Sequence, residues 1–130
     1  MSQIAAGLKG ETTLVVAEEH TAEHMRSGEM SVFSTPMMVA LMEEASLKTV
    51  APFLDEGQET VGISLDIKHL APTPVGMKVV AKAELLEVDR RRLVFRVEAF
   101  DEQEKIGEGN HERMIIDLGR FLARVQEKAV

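Results

Sequence analysis

The chain has 130 residues, 45% of them hydrophobic and 28% charged, which is a globular composition with enough length for one self-sufficient core. It contains no Cys, so disulfides, thiolate metal sites and cysteine nucleophiles are excluded; its five aromatics are all Phe, set against eight Met. A net charge of -7 argues against nucleic acid and anionic membrane as partners.

Residues 11–16 are short and β-branched, which predicts a first strand. An acidic, loop-like stretch follows over residues 18–29. At Phe33-Ser34-Thr35-Pro36 a helix opens, with Thr35 or Ser34 as N-cap and Pro36 suited to the first helical position. It runs to about Val50, where Pro52 and then Asp55-Glu56-Gly57 close it, with Phe53 and Leu54 adding a short extra turn. The helix is apolar on most sides and must lie buried. Helical spacing puts Glu44 and Lys48 on an outer stripe, whereas Glu43 falls among Val39, Ser46, Leu47 and Val50.

Thereafter the period is two. Val61, Ile63, Leu65, Ile67 and His69 share one face, until Pro72-Thr73-Pro74-Val75-Gly76 breaks the strand. Strands over 77–88 and 93–100 read as a hairpin turning at Asp89-Arg90-Arg91. A second turn at residues 101–104 leads to a strand over about 105–117, and an amphipathic helix carrying Leu118, Phe121, Leu122 and Val125 ends the chain. Strand, long helix and four sequential strands with short turns predict an α+β domain, an antiparallel sheet wrapped around a central helix. No repeat or linker divides residues 1–130, so one domain is expected. One helix covers only one side of such a sheet, so a homodimer is expected at an edge or second face.

No apolar run approaches the roughly 20 residues that span a bilayer. Met1-Ser2-Gln3-Ile4 lacks the basic and apolar regions of a leader. A cytoplasmic protein is expected.

Glu43 is the strongest chemical anomaly, because a carboxylate in an apolar stripe is desolvated, paired or raised in pKa. His69 at a strand end is a candidate general acid or base, although a structural role accounts for it equally simply. Thr35 is explained as an N-cap, yet a hydroxyl at a helix N-terminus also stands where an oxyanion would be stabilised. His20 and His24 lack the companions of a metal site, and no metal or other cofactor is expected. Gly107 and Gly109 precede no helix and form no phosphate loop; they let another element pack closely on the sheet. Arg90, Arg91 and Arg92 read as a solvated hairpin tip rather than a phosphate contact. Arg113 shares a strand with His111 and is placed to pair an acid or a ligand.

The segment from Phe33 to Ser46, FSTPMMVALMEEAS, resembles the central helix of the hotdog-fold thioesterases, and specifically the fluoroacetyl-CoA thioesterase-like family. Gly62 through Gly76, with its HLAPTPVG ending, resembles that family's second motif, and Gly107 to Arg113 its third. The likeness extends over about residues 10–128. It implies a hotdog dimer that hydrolyses an acyl-CoA thioester with a Thr35, Glu43 and His69 set, with Gly62 and Arg113 beside the bound substrate. Glu43 would then attack the carbonyl or activate a water, His69 would move protons, and Thr35 would position Glu43 or the nucleophile. The segment at 21–32 departs from the fluoroacetyl-specialised pattern, being short and without aromatics. A short- or medium-chain acyl-CoA is therefore the expected substrate. The competing readings are a non-catalytic acyl-CoA binding module and a hotdog hydratase.

Overall fold

In the computed structural model, which describes residues 3–130, the chain folds as β1 (Lys9–Val15), a 3-10 turn (Glu18–His20), α1 (Ala22–Met25), α2 (Thr35–Val50) and a second 3-10 turn (Ala51–Phe53). It continues through β2 (Gln58–His69), β3 (Lys78–Asp89), β4 (Arg92–Phe100), β5 (Lys105–Asp117) and α3 (Leu118–Lys128). Met1 and Ser2, part of the segment inspected for a leader, lie outside the described residues. No described helix is long and apolar enough to cross a membrane.

The five strands form one sheet in the order β1-β3-β4-β5-β2, and every pairing is antiparallel. α2 lies across one face of it, which is the hotdog arrangement. Alternate residues of the central strands, Val79, Ala81, Ala83 and Leu85 on β3 and Leu93, Phe95, Val97 and Ala99 on β4, meet Met38, Leu41, Met42 and Ala45 of the helix in one core. Each of the larger side chains contributes about 1.5–3 kcal/mol by leaving water. Met38 and Met42 are fully buried there, while Met25 and Met30 before the helix are exposed. Gly107 is what lets α2 approach β5, since a Cβ at that position would stand 2.5 Å from Met38 Sδ. α3 has no buried residue, and its apolar side chains Phe121, Leu122 and Val125 remain exposed.

Four expectations need correction. The acidic stretch after β1 is not loop throughout: Thr21 accepts from the His24 N–H and caps α1, which Arg26 ends in the left-handed region. Pro36 takes the second helical position rather than the first, because of the two cap candidates it is Ser34 that caps α2, accepting from the Met37 N–H at 3.2 Å. Sequential pairing holds from β3 to β5 and fails at β2, which pairs with β5 at the far edge. The cause lies in residues 70–77: Pro72 and Pro74 remove donors, and the Thr73 carbonyl accepts from the Phe33 N–H, tying the segment to the entrance of α2. Finally, the period-two face of β2 is interrupted. Gly62 pairs with Arg113 and Ser64 with Glu112, so Ile63 is an extra residue, a β-bulge. Thr60 and Gly62 therefore face the helix side before the bulge, and Leu65, Ile67 and His69 after it, while Val61 stands opposite Met114 on the outer face.

Candidate active site

Freed from capping by Ser34, the Thr35 hydroxyl reaches His69 at the end of β2, with Oγ1 2.7 Å from Nδ1. Burial pushes the His69 pKa below the ordinary histidine value. The other ring nitrogen, Nε2, is buried and has no hydrogen-bond partner among the described residues. The pair borders a cleft of about 330 Å³ between α1 and the Pro-rich segment, lined also by Ala22, Ser27, Val32 and Phe33. Because Thr35 is the first residue of α2, this pair sits in the positive field of the helix N-terminus.

Glu43 lies two turns further along α2. Its side chain is 38% exposed, so in the single protomer it is paired rather than desolvated: Oε2 is 3.7 Å from Nη1 of Arg113. The carboxylate rests over Gly62, where a Cβ would come within 2.6 Å of Oε2. That packing explains a glycine in the middle of β2. Glu43, Arg113, Met37, Ala40, Leu41, Leu47 and Leu14 line an open cleft of about 510 Å³. Thr12 of β1 bridges the outer-stripe pair, donating to Glu44 and accepting from Lys48.

The five sequence-predicted residues thus form two groups. Thr35 joins His69, and Glu43 joins Gly62 and Arg113. Among the described residues no contact links one group to the other. Eight residues of helix separate Thr35 from Glu43, about 12 Å of rise. Seven separate Gly62 from His69 on β2, about 20 Å of strand with the bulge allowed for.

The model of the fluoroacetyl-CoA-specific thioesterase family matches residues 16–118. The fluoroacetyl-CoA thioesterase of Streptantibioticus cattleyicolor is 44% identical over 97 residues, 75% of this chain and 70% of that protein. The chain belongs to the fluoroacetyl-CoA-specific thioesterase family. Its members are thioester hydrolases. A solved variant of the fluoroacetyl-CoA enzyme in complex with acetyl-CoA superposes with a TM-score of 0.93 at 35% identity, covering 98% of this chain and 100% of that one. A Thermus thermophilus member of the thioesterase superfamily gives 0.90 at 33% identity, over 98% and 97% of the two chains.

Sequence reasoning left two residues of this site without a role, His111 in the third motif and Thr60 on β2. His111 is fully buried beside Arg113, and Thr60 of β2 supplies two acceptors to the same guanidinium. Unbroken alternation would put Thr60 on the face opposite Leu65, Ile67 and His69, and only the bulge brings it inward. The signal for His111 was available in its i, i+2 relation to Arg113 on β5. The His20 ring accepts from the Ala17 N–H, and the hairpin arginines are tied to the sheet rather than simply solvated: Arg91 donates to the Ile115 carbonyl, and Arg92 pairs with Glu87 and Glu112. Among the described residues no cluster of His, Asp and Glu is arranged to hold a metal ion.

Proposed function

We propose that this chain, acting as one hotdog domain in a cytoplasmic homodimer, hydrolyses short- or medium-chain acyl-CoA thioesters with Glu43, His69 and Thr35. The observation that carries the reading is the 2.7 Å Thr35–His69 contact, which leaves His69 Nε2 buried and unpartnered. A ring held by a hydroxyl at one nitrogen, with the other beside the Ala71 backbone and without a well-formed hydrogen bond, is arranged to pass a proton to a departing thiolate. Glu43 supplies the carboxylate for the carbonyl carbon, directly or through a water, and both roles ask for the same position over Gly62. Arg113 and the N-terminus of α2 favour the negative charge that develops on the thioester oxygen.

The separation of the two groups supports a site shared between subunits. β2 is an edge strand with one unpaired side, and Ile63 and Leu65 on it are 48% and 39% exposed. If two copies of β2 pair antiparallel about a two-fold axis at Asp66, then, with Ile63 bulged out of the ladder, Gly62 of one copy stands opposite His69 of the other. Glu43 from one subunit then meets Thr35 and His69 from its partner. The cleft between α1 and the Pro-rich segment contains no aromatic residue besides the buried Phe33, which favours a broader acyl range than fluoroacetyl.

The test is thiol release from a panel of acyl-CoAs of increasing chain length. Turnover of acetyl- to medium-chain substrates is expected. Binding of acyl-CoA without release of thiol across the panel would instead establish the binding-module alternative.

A further inference from the structure

Arg113 is held by an unusual number of neighbours for a residue beside a reactive carboxylate. Its Nε donates to Thr60 Oγ1 at 2.9 Å, its Nη2 donates to the Thr60 carbonyl at 2.9 Å, and its Nη1 lies 3.2 Å from Nε2 of His111. The His111 ring has only one workable state here. Its Nδ1 is 2.8 Å from the Ser64 carbonyl, which can only accept, so Nδ1 carries the hydrogen and Nε2 presents a lone pair to Nη1. Burial, reinforced by the Arg113 charge, holds the His111 pKa below the usual value and keeps the ring in that neutral form. The ring is fixed in turn by stacking on Phe95, with centroids 6.3 Å apart.

The nearest other acceptor for Nη1 is Glu43 Oε2, 3.7 Å away, beyond the 2.7–2.9 Å of a charge-assisted hydrogen bond. We infer that His111, with Thr60, is a positioning residue that restrains the Arg113 guanidinium from closing onto Glu43. The restraint leaves the Glu43 oxygen open for the thioester carbonyl or its water and one Nη1 hydrogen open for the substrate. The inference rests on the thioesterase reading for its purpose but not for its geometry. The charged groups around the site are Arg113 and Glu112 on β5 and Glu43 and Glu44 on α2; Gly62 of β2 and Leu14 of β1 add none. The β2 bulge belongs to the same device, because it offers the Ser64 carbonyl to His111 and turns Thr60 inward.

The test uses His111→Phe, which keeps a ring on Phe95 and removes both hydrogen bonds, and His111→Gln, whose amide oxygen can accept from Nη1. Thr60→Val removes the Oγ1 acceptor of the other tether, leaving the main-chain carbonyl, without touching the ring, and serves if His111→Phe does not fold. Crystal structures of the unliganded proteins are expected to show the Nη1–Oε2 distance shortened to about 2.8–3.0 Å in His111→Phe and Thr60→Val, and retained in His111→Gln. This readout needs no turnover, so it is independent of the thioesterase reading. In the acyl-CoA assay, His111→Phe is expected to lower kcat roughly tenfold, with recovery in His111→Gln and no further loss when introduced into Arg113→Ala. A guanidinium that stays in place in both tether variants, or an equal loss with and without Arg113, overturns the proposal.

Discussion

Glu43 and His69 have different tasks, and removing either side chain leaves the other stranded. Glu43→Ala and His69→Ala are each expected to lower kcat by about 100-fold or more, while Thr35→Ser keeps the hydroxyl that orients His69 and retains most of it. Steady-state thiol release with melting curves alongside checks both expectations. At this scale much of the site was legible. Glu43 stood out because a carboxylate broke an apolar helical stripe, and Arg113 was read as pairing an acid or a ligand; of the two, Glu43 stands 3.7 Å from it. Thr60 was not legible, because its inward orientation depends on one inserted residue in β2 that alternation alone does not reveal.

Among the elements, α2 and the β3–β5 meander follow directly from local pattern: a Ser cap followed by Pro, a 3.6-residue period, then clean alternation with tight turns. The place of β2 does not, since a strand's partner is chosen by the whole sheet and by how residues 70–77 are tied to the start of α2. The expectation that a glycine in the third motif admits a neighbour is met at Gly107, which abuts the Met38 thioether. Gly107→Ala is accordingly expected to destabilise the fold by about 1–3 kcal/mol, because Met38 is fully buried and has little room to shift. Chemical denaturation measures this, and an unchanged midpoint would show that the helix approaches the sheet less tightly than described.

For the whole molecule, two histidines, His111 buried and His69 half-buried, tie stability to pH. His69 and His111 both have pKa values below the ordinary histidine value, chiefly through burial, so the folded state binds protons less readily than the unfolded chain. Their contribution is complete above about pH 6.5 and is lost as pH falls from there toward the lowered folded values. Denaturation midpoints should therefore decline below about pH 6.5, before most carboxylates titrate, and His111→Phe should flatten that decline.

The same scale decides how the two halves of the site meet. Glu43→Ala and His69→Ala proteins, each inactive alone, are mixed, unfolded, refolded together and assayed for thiol release. A site shared across the dimer predicts recovery to about a quarter of wild-type activity, since half the dimers are mixed and each mixed dimer holds one intact site. Mixed dimers that form and remain inactive would contradict the account.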